Sequence, residues 1–257
     1  YPTIKKMGNR YINNLYKTVR GNYEIKGYDE IKNIKEMLHA NIYHFNWIES
    51  TNGRFIKLKY AKKRALITLL KILNKKIIWT VHNIQPHDCE TQRESIKFMS
   101  FMEKQSDRIH VLCKETLDFG DLNKYENKIV YIPHGDYIEN YPQSPVDIYE
   151  RYNIPKNKKI MLFLGQVRKY KNIEILIKAF NESKLEDRGF VLLICGQCND
   201  EEYRKELKKM SNKNVFLDFN FIKDEEMEAY LRNSQILVAP YSKESSLNSG
   251  TLWMAMS

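Results

Sequence analysis

The sequence predicts an α/β protein made of two Rossmann-like domains in tandem. Three observations predict it. Short apolar runs alternate with stretches of helical spacing along the chain, the rhythm of parallel sheets with crossover helices. The rhythm pauses at Tyr141-Pro142-Gln143-Ser144-Pro145, a proline-bracketed polar segment suited to a linker. It then restarts with a strand–loop–helix unit at Lys159. The expected domains are residues 1–142 and 143–257.

The first domain opens on an amphipathic helix, Tyr11 to Val19, preceded by Gly8-Asn9 as turn and cap. Tyr23-Glu24-Ile25-Lys26 alternates as a short strand, and Ile31 to Leu38 has helical spacing. Asn41 to Trp47 reads as a strand with a polar, aromatic end. Residues 54–73 form a long helix candidate. It carries Arg54, Lys57, Lys59, Lys62, Lys63, Arg64 and Lys71, is followed by Lys75 and Lys76, and contains no acid. Such a helix either lies on an anionic membrane or presents a solvated lysine face. Ile77 to Val81 is a β-branched strand that runs into the polar loop His82-Asn83-Ile84-Gln85-Pro86-His87-Asp88. A helix at Ser95–Glu103 and strands at Asp107–Leu112 and Lys128–Ile132 complete this half, the last strand ending in Pro133-His134-Gly135.

In the second domain Asp147–Tyr152 is a short helix and Lys159–Leu164 a buried strand. The loop Gly165-Gln166-Val167-Arg168-Lys169-Tyr170-Lys171-Asn172 leads into a helix at Ile173–Phe180. Strands follow at Phe190–Gly196, Val215–Asp218 and Gln235–Ala239, with helices at Glu201–Met210 and Asp224–Arg232 between them. A polar loop from Ser242 leads to a last helix at Gly250, which the chain end cuts. With no initiator Met and no strand before the first helix, the chain reads as a piece of a longer protein.

A net charge of +10 calls for an anionic partner: nucleic acid, an anionic membrane face or a phosphorylated substrate. No nucleic-acid motif is present, so a polynucleotide is not expected. No apolar run approaches the roughly 20 residues of a membrane span. Neither half carries the glycine fingerprint of NAD or FAD, and no cofactor is expected. Cys195-Gly196-Gln197-Cys198 sits at a strand end without the further ligands of a zinc site; these thiols are read as incidental.

The polar groups gather at strand ends, and in open α/β sheets the carboxyl ends line the ligand crevice. In the second half, Arg168 and Lys171 lie between strand and helix, where backbone N–H groups and the helix dipole favour an anion. They read as a diphosphate clamp, against the alternative of a basic surface loop. The loop Ser245-Ser246-Leu247-Asn248-Ser249-Gly250-Thr251 opens a helix with small residues and is either a second phosphate cradle or an ordinary N-cap. Gly196 ends its strand as if a ligand passes close. In the first half His44, Asn46 and Trp47, then His82, Asn83 and His87, then His134 sit at consecutive strand ends. A metal at His82 and His87 is the alternative there, with no carboxylate–histidine motif to support it.

Several of these stretches resemble a known family. Gly165-x-x-Arg168-x-x-Lys171-Asn172, Leu176-x-x-Ala179-Phe180, Leu192-Leu193-Ile194-Cys195-Gly196 and Val238-Ala239-Pro240-Tyr241 before Ala255-Met256-Ser257 are similar to the donor domain of group 1 (family 4) GT-B glycosyltransferases. Asn9-x-Tyr11, His44-x-Asn46-Trp47, Thr80-Val81-His82-Asn83-x-x-Pro86-His87 and Pro133-His134-Gly135 resemble a bacterial polysaccharide subgroup. The resemblance implies a GT-B-like fold, two Rossmann-like domains facing across a cleft, with the C-terminal one incomplete. It implies metal-independent transfer of a sugar from a nucleotide-diphosphate sugar, UDP or GDP, to a glycan or lipid-linked acceptor. Transfer would take place at the inner face of the plasma membrane, with the basic helix Arg54–Lys76 holding the protein there.

By this resemblance Arg168, Lys171, Asn248, Ser249, Gly250 and Thr251 meet the diphosphate, and Gly165, Gly196 and Ser246 wall the donor site. His82 lies near the reacting carbon, while Asn9, Tyr11, His44, Trp47, Asn83, His87 and His134 face cleft and acceptor. One departure stands out. The family pattern places two glutamates near the last helix, one on the donor sugar and one on the ribose. Here Ser246 and Met254 occupy those positions, and Glu244 is out of register. Rival readings are a nucleotide-sugar epimerase of the same fold and a basic nucleic-acid-binding protein.

Overall fold

The computed structural model describes residues 10–51, 53–83, 92–118, 120–138, 140–241 and 249–257. They form two compact units, one up to Gly135 and one from Asp136 onward.

The first unit runs α1 (Arg10–Lys17), α2 (Ile34–His39), β1 (Ile42–Asn46), α3 (Ile56–Ile72), β2 (Lys76–Val81), α4 (Gln92–Gln105), β3 (Arg108–Val111) and β4 (Ile129–Tyr131). All strands are parallel, in the order β1-β2-β3-β4. Phe45, Ile77, Trp79, Val81, Ile109 and Val111 bury one sheet face against Tyr60, Ile67 and Leu70 of α3 and Phe98 and Met102 of α4. Each such side chain contributes about 1.5–3 kcal/mol when removed from water. The opposite face carries Tyr11, Ile12, Leu15 and Tyr16 of α1, packed with Leu112 and Trp47.

The second unit holds α5 (Ile148–Arg151), β5 (Lys159–Leu164), α6 (Ile173–Glu182), β6 (Phe190–Cys195), α7 (Glu201–Met210), β7 (Val215–Asp218), α8 (Met227–Arg232), β8 (Ile236–Leu237) and α9 (Gly250–Met256). Its parallel strands are ordered β7-β6-β5-β8. β5 and β6 are covered on both faces. Phe163, Leu192 and Ile194 join one apolar cluster, while Ile160, Leu162, Leu164, Val191 and Leu193 join another. Burial on both faces explains why these strands read as unbroken apolar runs. Asp200 caps α7 by accepting the Tyr203 N–H, with two acids in the first turn and two lysines in the last, as the helix dipole favours.

Two expected elements differ. Tyr23–Lys26 forms no strand; an alternating pattern needs a neighbouring strand, and none pairs with it among the described residues. The strand expected over Gln235–Ala239 shrinks to two residues; at its N-terminal edge the Gln235 side-chain carbonyl takes the Ile160 N–H.

α3 is also less of a free basic face than its composition implies. Lys63 donates to the carbonyls of Ile48 and Ser50. Arg64 stacks on Phe101 and donates to the Lys97 carbonyl, and Lys71 pairs with Asp107 at 2.9 Å. Arg54, Lys57 and Lys62 remain exposed, beside exposed Phe55, Leu58, Leu69 and Ile72. No described helix is long and apolar enough to cross a membrane.

Candidate active site

The strand order of the second unit reverses at β5, which has β6 on one side and β8 on the other. Such a switch point opens a crevice at the carboxyl ends of the two strands. The first unit has no reversal among its described strands. The crevice is lined by the loop after β5 and the start of α9.

Gly165 adopts φ +136, and a Cβ there would lie 3.3 Å from Lys171 Nζ and 3.6 Å from Thr251 Oγ1. An ammonium and a hydroxyl therefore converge over a position with no side chain. Lys171 is half-buried, and its ammonium lies 5.0 Å from the Tyr241 ring centre, 5.6 Å from Phe163 and 6.0 Å from Tyr170. Aromatic faces attract a cation, but they supply no countercharge. Burial, and secondarily the Arg168 charge, lower the Lys171 pKa to about 8, with no acid among the described residues acting on it. Arg168 is exposed and bonds Gln166 at 3.0 Å.

The two loops are tied together. Asn172, in a left-handed conformation, donates its side-chain amide to the Pro240 carbonyl at 3.0 Å. The Ser249 hydroxyl caps α9 by accepting the Leu252 N–H. Ser249 is therefore engaged as a cap, unlike its expected role on the diphosphate. The backbone N–H groups of Gly250 and Thr251 have no partner among the described residues. Gly196 supports this site from behind. It adopts φ +139, and a Cβ there would lie 2.0 Å from the Gly165 carbonyl oxygen. The close approach that requires glycine is to backbone and not to ligand.

The first unit brings together Tyr11, Trp47, His82 and His134. Trp47 stacks on His82 with ring centres 3.9 Å apart, Tyr11 meets the His82 ring edge-on at 5.1 Å, and Tyr11 lies 5.0 Å from His134. Trp47 holds φ 51, a conformation that is strained for a bulky side chain. His82 Nε2 lies 2.9 Å from Asn46 Oδ1. Burial holds the His82 pKa well below its ordinary value, so the ring is neutral at pH 7. His44 is not presented to a ligand. Both its nitrogens are used, by the Tyr16 hydroxyl and by Thr80, and burial lowers its pKa to about 3. Asn83 follows His82 half-buried.

Asn9, His87, Ser246 and Asn248 lie outside the described residues. No group of three or more metal-ligating side chains occurs among the described residues. Cys195 and Cys198 are buried and free. Tyr16, Thr80 and His110, and Tyr241 in the second unit, were not anticipated as site residues. The signal for Thr80 and His110 was a polar residue inside an otherwise apolar strand.

Residues 147–246 match the family model described as glycosyl transferases group 1. No curated protein matches the chain by sequence. Among solved structures, Anabaena HepE in complex with UDP and glucose is similar at 13% identity and a TM-score of 0.57, over 79% of this chain and 53% of that one. Sucrose-phosphate synthase from Thermosynechococcus elongatus is similar at 15% identity and a TM-score of 0.62, over 100% of this chain and 60% of that one. WaaG, a glycosyltransferase involved in lipopolysaccharide biosynthesis, is similar at 16% identity and a TM-score of 0.51, over 73% and 60%. The chain spans 53–60% of the length of these proteins. It has the α/β fold of GT-B glycosyltransferases, with two parallel sheets, and its second unit carries the match to the group 1 family.

Proposed function

We infer that the protein transfers a sugar from a nucleotide-diphosphate sugar to a glycan or lipid-linked acceptor, as part of bacterial cell-surface polysaccharide synthesis. One observation carries the reading: Lys171, half-buried at the switch point without a carboxylate partner among the described residues, converges with Thr251 over Gly165. Breaking a sugar–phosphate bond leaves charge on the departing diphosphate. Fixed donors that meet this charge are worth a few kcal/mol each. Lys171 supplies the ammonium, Arg168 a second charge, and Thr251 and the N–H groups of Gly250 and Thr251 supply hydrogen bonds. Charge stabilisation of this kind needs no divalent metal in the proposed reaction. His82, neutral and wedged between Trp47 and Tyr11, is the polar group in the first unit suited to contact a sugar hydroxyl.

The test is calorimetric titration with UDP, GDP and their glucose conjugates at several pH values. Binding is expected at pH 7 and is expected to weaken as pH rises through about 8, because the anion binds the protonated lysine. Over the same window the free protein gains stability, since the unfolded chain still holds a proton that the folded one has released. Failure of every nucleotide to bind at pH 7 would overturn the reading.

The inner membrane face is the proposed location. What supports it is the exposed mixture of Phe55, Leu58, Leu69 and Ile72 with Arg54, Lys57 and Lys62 on α3. Each such cation is worth about 1 kcal/mol near an anionic surface. Replacing Arg54, Lys57 and Lys62 by Gln is expected to abolish flotation with phosphatidylglycerol vesicles. Full retention of binding would exclude this helix as the anchor.

A further inference from the structure

The first sheet carries a row of polar groups on the face covered by α1. Asn46 pairs in register with Thr80, and Thr80 with His110. These groups are hydrogen-bonded in series. The Tyr16 hydroxyl lies 2.7 Å from His44 Nδ1, and His44 Nε2 lies 2.7 Å from Thr80 Oγ1. Thr80 Oγ1 lies 3.0 Å from His110 Nδ1, and His110 Nε2 lies 2.9 Å from the Ile132 carbonyl oxygen.

Proton counting gives this series one direction. A carbonyl only accepts, so His110 Nε2 carries a proton. Burial lowers the His110 pKa, so the ring is neutral and Nδ1 accepts. The single Thr80 proton goes to it. His44 Nε2 must then donate to Thr80, and His44 Nδ1 must accept from Tyr16. The Tyr16 proton is thereby committed, and its oxygen can only accept from any further neighbour. Burial raises the Tyr16 pKa to about 12. Beside this series the Asn46 amide turns its oxygen to His82, with Oδ1 2.9 Å from Nε2. The Asn46 side chain is fully buried, and its Nδ2 lacks an acceptor in hydrogen-bond geometry. An unmade bond of this kind is a cost that a purely structural position would avoid with an apolar side chain.

We propose that Asn46 is a positioning residue that locks His82 as its Nε2–H tautomer, so that Nδ1 accepts a hydrogen bond from a sugar hydroxyl. The amide oxygen fixes the imidazole, while the series from Tyr16 to Ile132 holds the neighbouring His44, Thr80 and His110. Trp47 over the ring face and Tyr11 at its edge hold the plane. The identity of the ligand rests on the glycosyl-transfer reading, whereas the tautomer does not.

Long-range proton–nitrogen correlation spectra of protein labelled with 15N-histidine test the lock directly. At pH 7.5 His44, His82 and His110 are each expected to show the Nε2–H pattern. An Nδ1–H or imidazolium pattern at His82 would overturn the proposal. Asn46→Leu removes the acceptor and is expected to give His82 a mixture of tautomers, with the His44 and His110 signals reporting an intact sheet. An unchanged His82 signal in that variant would make Asn46 a bystander. Asn46→Asp keeps an acceptor and is expected to preserve the Nε2–H tautomer while raising the pH at which His82 titrates. Its failure to do so would also count against the lock. Methyl glucoside, methyl galactoside and methyl mannoside are the hydroxyl probes. At least one is expected to move the Nδ1 resonance of His82 upfield without moving His110. No movement with any of them overturns the acceptor role of Nδ1. A retained lock with no nucleotide binding by calorimetry would instead locate the failure in the glycosyl-transfer reading.

Discussion

Lys171→Met is expected to weaken nucleoside-diphosphate binding roughly tenfold to a hundredfold, the range set by losing a charged hydrogen bond of about 1.5–3 kcal/mol. Methionine keeps most of the volume inside the box of Phe163, Tyr170 and Tyr241, so the loss isolates the charge. Arg168→Met is expected to cost less, because Arg168 is exposed and its field is screened by water and salt. Lys171→Arg is not expected to rescue fully, since a planar guanidinium does not fit where a compact ammonium sits over Gly165. Calorimetry with UDP decides it. Affinity of Lys171→Met within twofold of the parent would remove the lysine from the site.

Gly196→Ala is expected to destabilise the second unit by about 3 kcal/mol or more, combining a backbone conformation closed to alanine with a steric conflict. The added methyl would lie 2.0 Å from the Gly165 carbonyl oxygen, where backbone cannot yield cheaply. Thermal unfolding should show a drop on the order of 10 °C. Gly189→Ala is the control: φ is +81 there too, but no atom lies within 4 Å of the new methyl. It is expected to cost only about 1 kcal/mol. Equal effects of the two substitutions would show that the approach to Gly165 carries no special cost.

The parallel α/β architecture was legible because β5 and β6 are apolar on both faces and α6 and α7 have clear helical spacing. The loop that carries Lys171 was legible as a strand–glycine–cation–helix pattern, but not the approach of its ammonium to Gly165. What could not be read was which polar groups face one another. His44 looked like a ligand-facing histidine, yet the packing of α1 on the sheet places its ring between Tyr16 and Thr80, which satisfy both nitrogens. Gly196 looked like ligand clearance, but its neighbour is a carbonyl from an adjacent loop. Tyr241 seemed part of a strand end, and only the fold brings its ring under the Lys171 ammonium. The cations of α3 looked equivalent in composition, while packing turns Lys63, Arg64 and Lys71 inward. Each of these depends on contacts between segments far apart in sequence.

Lys171, half-buried and without an acid partner among the described residues, also bears on how long the protein lasts. Without an anion, the lysine and Arg168 repel each other in a partly dehydrated crevice. A bound diphosphate relieves that repulsion and stabilises the folded state by mass action, by about 2.7 kcal/mol when ligand stands a hundredfold above its dissociation constant. On the proposed function, a cell depleted of nucleotide sugar would hold a larger unfolded fraction of this protein, open to proteolysis, and supply of donor would govern its abundance as well as its rate of turnover.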